Sequence, residues 1–397
     1  VPHILFSDAK KLKTPFEQDG VFFNFISNSV NFNNPNRRVE HKIGVKYDNK
    51  EFLLTLKPKG EHWLLKADKT TRITPISLVK DAINAYAKAI DADIIFSNTH
   101  NDFSQKSEPQ KEFLKTIDYF VSQFQTTKEV QIEIGFGSGR HLLYQAQKNP
   151  EILFIGLEIH TPSIEQLLKQ IKLQNIENIL VLNYDARLFM EFIESNSVGK
   201  IFVHFPVPWD KKPHRRVYSD EFINEALRIL KCDGTLELRT DSRKYFDYCI
   251  SLLTQLPKGQ ILIDINKDLD VSSKYEDRWK KQGKTIYDVI LKCTQNDEKI
   301  NIQKDFSFTK DANFDKIKEE IITKPIIEDG FVLHIEEMFE IEPNAGLIQV
   351  TYGSFNKPVN KFILIDHGKI RYFQGAPIPT SANFKAHLKL QEILSHD

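Results

Sequence analysis

Cysteine is scarce: Cys232, Cys249 and Cys293 stand alone in 397 residues, with no Cys-x-x-Cys and no histidine at ligand spacing. That argues against a zinc site or a disulfide framework, fits a reducing cytoplasm and sets the expectation of no metal. Long apolar runs are also missing. None approaches the ~20 residues that a membrane span requires, and the N-terminus shows no signal-peptide pattern. The expectation is a soluble cytoplasmic protein with no membrane partner. Net charge is absent as well, since 54 Lys and Arg balance 54 Asp and Glu. No global field draws a polyanion, so any nucleic-acid partner has to be gripped by a local basic patch.

The chain is too long for one ordinary core, and two or three domains are expected. Residues 1–105 read as a β-rich N-terminal extension. Val21-Phe22-Phe23-Asn24-Phe25, Lys42 to Tyr47 and Phe52 to Leu56 are antiparallel strand candidates, with a turn at Asp48-Asn49-Lys50 and a helix from Ile76 to Ile90. The polar stretch Ser97 to Pro109 is the linker candidate. Arg37-Arg38 reads as a solvated turn. Residues 299–397 read as a second α+β extension, with strands at Phe331–Ile335, Leu347–Tyr352 and Lys361–Asp366 and a helix from Asn313 to Ile322. Residues 305–397 carry ten basic and fourteen acidic side chains, a poor match to a phosphate-gripping surface.

Between them, residues 106–298 alternate strand and helix. Apolar runs end at Gly135, Glu158, Asp185, Pro206 and Asp241, each followed by helical spacing. Such alternation implies a parallel sheet with helices on both faces. Ligands bind outside the carboxyl ends of such strands. The strand Gln131-Ile132-Glu133-Ile134 runs into Gly135-Phe136-Gly137-Ser138-Gly139 and a helix. Glycines there let a ligand lie against main-chain N–H groups. The spacing is G-x-G-x-G, not the G-x-G-x-x-G of dinucleotide folds, which weakens the case for NAD. Glu158, at the end of the next strand, is placed to accept from the two hydroxyls of a ribose. Asp185 suits the exocyclic amine of adenine, or an N-cap for the helix that follows, or both. Glu133, inside its strand, is costly without a partner and can face the cationic end of a ligand.

The most specific stretch is Phe205-Pro206-Val207-Pro208-Trp209-Asp210-Lys211-Lys212-Pro213-His214-Arg215-Arg216. Its prolines hold the backbone extended and remove N–H donors, and an aromatic beside cations suits base stacking and phosphate neutralisation. A second basic loop carries Lys274, Arg278, Lys280, Lys281 and Lys284, between strands Gln260–Ile265 and Ile286–Leu291.

The glycine turn, Gly156-Leu157-Glu158-Ile159-His160, the Phe-Pro-x-Pro-Trp segment with its His-Arg-Arg tail, Arg239-Thr240-Asp241 and Ser273-Lys274-Tyr275-Glu276 together resemble the bacterial tRNA (guanine-N7)-methyltransferases. The resemblance covers Lys111 to Cys293. It implies a Rossmann-like class I methyltransferase sheet, S-adenosyl-L-methionine as cofactor, and methyl transfer to N7 of the variable-loop guanosine of tRNA, position 46. On that resemblance Glu133, Glu158 and Asp185 match cofactor positions, to which the glycines Gly135, Gly137 and Gly139 belong. Lys211, Asp241, Ser273, Lys274, Tyr275 and Glu276 match substrate positions. One departure stands out: the family carries an Asp, held to be catalytic, where this sequence has Val207, which neither accepts a hydrogen bond nor takes up a proton. Asp241 is then the candidate catalytic residue that holds the base, with Asp210 as a backup. The competing readings are a small-molecule methyltransferase, a dehydrogenase, and a catalytically silent RNA- or cofactor-binding relative. Monomer and homodimer both stay open.

Overall fold

The computed structural model describes the chain apart from residues 11, 31–38, 100–111, 272–275, 277, 279–280, 321–323, 329, 356 and 396–397. It forms two compact units: Gln105–Lys304, and Val1–Ser104 together with Asp305–Asp397.

The N-terminal segment runs β1 (His3–Phe6), β2 (Phe16–Gln18), β3 (Val21–Ser29), β4 (His41–Tyr47), β5 (Lys50–Lys59), β6 (His62–Ala67), α1 (Ile76–Ala89) and β7 (Ile94–Ser97). The β4–β5 turn falls where Asp48 and Asn49 both take positive φ, +49° and +57°, the paired left-handed geometry that matches the twist of a two-residue hairpin. One face of these strands packs Phe23, Ile43, Leu54 and Leu65 under Ala82, Ile83 and Tyr86 of α1.

The central unit runs β8 (Leu114–Lys115), α2 (Ile117–Ser122), β9 (Val130–Ile134), α3 (Arg140–Lys148), β10 (Leu153–Leu157), α4 (Thr161–Leu173), β11 (Ile179–Leu182), α5 (Ala186–Phe189), β12 (Val198–His204), α6 (Asp220–Ile229), β13 (Leu230–Thr240), α7 (Arg243–Leu253), β14 (Gln260–Ile265) and β15 (Tyr287–Lys292). The sheet order is β14-β15-β13-β12-β9-β10-β11-β8. Pairing is parallel from β11 through β13, while β15 runs antiparallel to both β13 and β14. The strand order reverses beside β9, which lies between β10 and β12, so the ends of these strands form the crevice that such sheets use for ligands. Helices cover both faces. Ile132, Ile134, Val203 and Leu236 pack with Phe120, Phe189, Phe222 and Tyr245 on one side, and Phe154 and Val181 with Leu142, Leu167 and Ile171 on the other.

The C-terminal segment adds a helix at Phe314–Glu320, β16 (Ile326–Glu328), β17 (Phe331–Glu342), β18 (Ala345–Gly353), β19 (Val359–Asp366), β20 (Lys369–Tyr372) and a helix at Ser381–Leu394. The sequence sets the two outer segments apart as separate extensions. In the structure β17 pairs antiparallel with β3 through Phe339 opposite Ser29 and Glu340 opposite Asn28, giving one sheet of twelve strands. Phe25 and Leu53 share a core with Phe339, Leu347, Phe362 and Phe373. Arg371 Nη2 donates to Glu51 Oε1 at 2.6 Å, and Gln374 Nε2 to the Glu51 carbonyl at 2.6 Å. Strand periodicity fixes which side chains share a face, but it does not report which distant strand supplies the neighbour.

Candidate active site

The chain leaves β9 through alternate glycines in left-handed backbone: Gly135 at φ +68°, Gly137 at +53° and Gly139 at +72°. Gly139 caps α3, and a Cβ there would meet Leu167 Cδ1 at 2.6 Å, so its absence seats α3 against α4. At Gly135 an added Cβ would meet no heavy atom within 4 Å. That glycine is required by backbone conformation, and the space above it is free for a ligand to approach the main chain.

Glu158 is locked across this turn. Its Oε2 accepts from Gly137 N at 3.0 Å, and its Oε1 from Ile159 N at 2.8 Å and His160 N at 3.0 Å. An ionised carboxylate offers about four acceptor directions, so three backbone donors fix its position and leave capacity for a hydroxyl. A bare-backbone cradle beside a fixed acceptor fits the ribose and amino-acid portions of S-adenosyl-L-methionine. β11 stops at Leu182, short of the strand end that the sequence places at Asp185; Asp185 lies in the turn beyond it, accepts from Arg187 N at 3.0 Å as the N-cap of α5, and is clamped by Arg187 Nη2 at 2.8 Å. The capping role is thus realised, beside the cofactor role that the resemblance implies.

Glu133 points into the covered face of the sheet at 3% exposure. The partner it requires is His141 on α3, whose Nδ1 lies 2.7 Å from Glu133 Oε2. Burial pushes the His141 imidazole down, but the charge and hydrogen bond of Glu133 outweigh it and hold the imidazole above its ordinary value. His204, at the end of β12, lies 4.5 Å from His141, centre to centre, with the two rings tilted at 58°. Burial and the charges of His141 and Arg239 push His204 well below its ordinary value. Both rings line a cavity of about 230 Å³ with Tyr144, Lys200, Lys267 and Asp288. Neither histidine is singled out by its sequence neighbourhood; the signal was the buried acid at Glu133, which demands a cation from an adjoining element.

The Pro-x-Pro-Trp loop is rigid for more reasons than its prolines. It is bracketed by two aromatic residues in left-handed backbone, Phe205 at φ +48° and Trp209 at +47°, conformations that bulky residues adopt only when their surroundings enforce them. Phe205 N donates to the Arg239 carbonyl at 2.7 Å. Arg216 Nε donates to the Pro208 carbonyl at 2.8 Å, and its guanidinium lies 4.4 Å from the centre of the Tyr248 ring. Arg216, read from sequence as part of a cationic tail, is therefore turned inward and pins the loop. Arg215 stacks on Trp209 at 5.1 Å. Lys211 is exposed, and Val207 projects outward at 61% exposure.

Asp241 follows β13, and its Oδ2 is 2.6 Å from Lys284 Nζ. Beneath it Arg239, fully buried, donates through Nη1 to both oxygens of Asp288 at 2.7 and 2.6 Å, and through Nη2 to Glu276 Oε1 at 2.9 Å and the Lys267 carbonyl at 2.8 Å. Glu276, a substrate candidate by resemblance, is 1% exposed and engaged in this network. Ser273, Lys274 and Tyr275 lie outside the described residues.

The mixed sheet, the glycine turn after β9 and the acid after β10 define a class I S-adenosyl-L-methionine-dependent methyltransferase. Residues 127–289 match the family model described as a putative methyltransferase. Over its whole length the chain is 40% identical to the tRNA (guanine-N(7)-)-methyltransferase of Wolinella succinogenes, covering 100% of both proteins. It is 38% identical to that of Campylobacter fetus subsp. fetus, covering 100% of this chain and 99% of the relative, and 37% identical to that of Helicobacter hepaticus, covering 100% of both. The chain belongs to the tRNA (guanine-N7)-methyltransferase family. Among solved structures it is similar to an rRNA methylase from Streptococcus thermophilus, at 12% identity and a TM-score of 0.32, covering 45% of this chain and 94% of that one. It is also similar to the 16S rRNA methyltransferase KamB, at 14% identity and a TM-score of 0.34, covering 45% and 92%.

Proposed function

We propose that this chain methylates N7 of the variable-loop guanosine of tRNA, position 46, using S-adenosyl-L-methionine. The observation that carries the reading is the adjacency of β9 and β12, which sets the glycine turn beside the pinned loop ending in Trp209, Lys211 and Arg215. The cofactor supplies an electrophilic methyl on a sulfonium centre. Glu158 and the glycine backbone would hold its nucleoside end, Asp185 would accept from the adenine amine, and Glu133, paired with His141, would face its cationic end. Guanine N7 already presents an in-plane lone pair, so no base is needed before attack. The chain's contribution is alignment, worth up to about 7–11 kcal/mol in well-oriented systems. Asp241, anchored by Lys284, faces the positive charge that develops on the guanine ring, and Asp210 is a second carboxylate at the loop. Lys211 and the segment 273–276 contribute substrate contacts. The site of action is the cytoplasm. Among the described residues no helix is long and apolar enough to cross a membrane, and no His, Cys, Asp and Glu cluster of metal-binding kind occurs.

The test is transfer of a tritiated methyl group from S-adenosyl-L-methionine to unmodified bulk tRNA, with nucleoside analysis of the product. Label in 7-methylguanosine is the expected result. Label in another nucleoside, or none from folded protein that binds the cofactor, overturns the reading.

A further inference from the structure

The sheet face of β5, β6, β1 and β7 that points away from α1 has no place in the site described above. Register puts Lys59 opposite His62, Lys57 opposite Leu64 and Thr55 opposite Lys66, then Lys66 opposite His3 and Leu64 opposite Leu5, and Leu5 opposite Phe96. Side chains alternate along strands, with about 3.3 Å of rise per residue, so Lys57, Lys59 and Lys66 form one cluster with His62, His3 and Phe96 on the same face. Two of the three acids nearby, Glu40 and Asp68, are already engaged, and the third, Glu61, stands exposed at the end of the face, in the β5–β6 turn. Buried Lys42 takes Glu40 at 2.6 Å and Asp68 at 2.8 Å, and Lys57 reaches Glu40 only at 3.7 Å. Lys59, Lys66 and Lys69 make no ion pair among the described residues. Lys66 is held below its ordinary value by burial and by the charges of Lys57, Lys42 and Lys69, with Glu40 opposing. Half-covered cations that repel one another are suited to an anion from outside. At the margin Phe96 is 48% exposed and lies 5.3 Å from the His3 ring, a pair on which an unstacked base can rest.

We propose that this lysine-bearing sheet face is a second tRNA surface, taking the sugar-phosphate backbone on Lys57, Lys59 and Lys66 and a base against Phe96. The proposal rests on the methyltransferase reading for the identity of the polyanion. Its role is grip on the substrate, not chemistry, and it gives the outer β unit a function.

The experiment uses the full chain with Lys57, Lys59 and Lys66 all changed to Gln, and a companion with all three changed to Arg. Binding of unmodified tRNA is measured across a salt series without turnover, beside steady-state methylation, cofactor affinity and thermal melting. Each released counterion contributes roughly 0.7–0.9 to the slope of log affinity against log salt. The Gln variant should therefore lose about 2 from that slope and show a KM for tRNA raised about tenfold or more, with kcat and cofactor affinity unchanged. The Arg variant should behave as the parent. An unchanged salt slope in a normally melting Gln variant overturns the proposal, and so does equal impairment of the Arg variant, which would mark a structural role. Failure of the parent to form 7-methylguanosine would instead strike the catalytic reading, since the binding series reports on this surface by itself.

Discussion

Glu133 Oε2 lies 2.7 Å from His141 Nδ1, with both side chains under a tenth exposed. The imidazole is held above its ordinary value of 6.5, so the pair stabilises the fold fully below pH 6.5 and loses that contribution as pH rises through the folded value. His204 acts in the opposite sense: its folded value lies well below 6.5, so its share of stability is present above 6.5 and is lost as pH falls. Breaking a buried pair by removing one partner costs about 3–5 kcal/mol. Glu133→Gln is therefore expected to lower Tm most at pH 6 and less at pH 8, measured by thermal denaturation across that range. A loss independent of pH would mean that the pair is uncharged.

Gly135 and Gly139 share the same left-handed backbone but differ in what surrounds them. Gly139→Ala drives a Cβ to 2.6 Å from Leu167, so Tm should fall together with cofactor affinity. Gly135→Ala meets nothing in the protein and costs only the conformational strain, about 1–2 kcal/mol. Its main effect should be on the KM for S-adenosyl-L-methionine, because the methyl occupies the space reserved for the ligand. Comparing melting curves with cofactor titrations for the two variants separates these outcomes.

Arg216 holds the Pro208 carbonyl while lying over Tyr248. Lysine keeps the charge but neither the planar fork nor the stacking. A hydrogen bond to a charged group contributes about 1.5–3 kcal/mol, so Arg216→Lys should reduce kcat/KM for tRNA by roughly tenfold or more while cofactor affinity, measured by calorimetry, is unchanged. Arg215→Gln, on the exposed side of the loop, removes a cation and should lower the salt slope of tRNA binding by roughly 0.7–0.9, with a smaller effect on kcat.

Val207 is well exposed between its two prolines, where substitutions usually cost within about 0.5 kcal/mol. Val207→Asp should fold normally. If Asp241 supplies the negative charge facing the guanine, Asp241→Ala should reduce kcat by roughly 10²-fold, and the double variant Val207→Asp with Asp241→Ala should recover part of the loss. Full activity in Asp241→Ala by itself would remove Asp241 from the chemistry.

Much of the central unit was legible because its signals are local. Strand ends at Gly135, Glu158 and Asp241 follow from apolar runs stopped by glycine or acid, and each contributes a residue to one rim of the sheet. The Glu133–His141–His204 cluster and the Arg239 network were not legible, since they join residues on different elements whose side chains meet only after the sheet has formed. Arg216 was misread for the same reason: within a run of cations, sequence gives no sign of which one turns inward onto Tyr248.

By itself the sequence determined the alternation of strand and helix, the glycine turn and the acid across from it, because backbone conformation and side-chain periodicity act over a few residues. Only the tertiary structure decided that residues before and after the central unit share one sheet through β3 and β17, and that Lys57, Lys59 and Lys66 converge on one face. Strand pairing between residues three hundred positions apart is set by which apolar faces find each other, as Phe25 finds Phe373, and no local pattern encodes that choice.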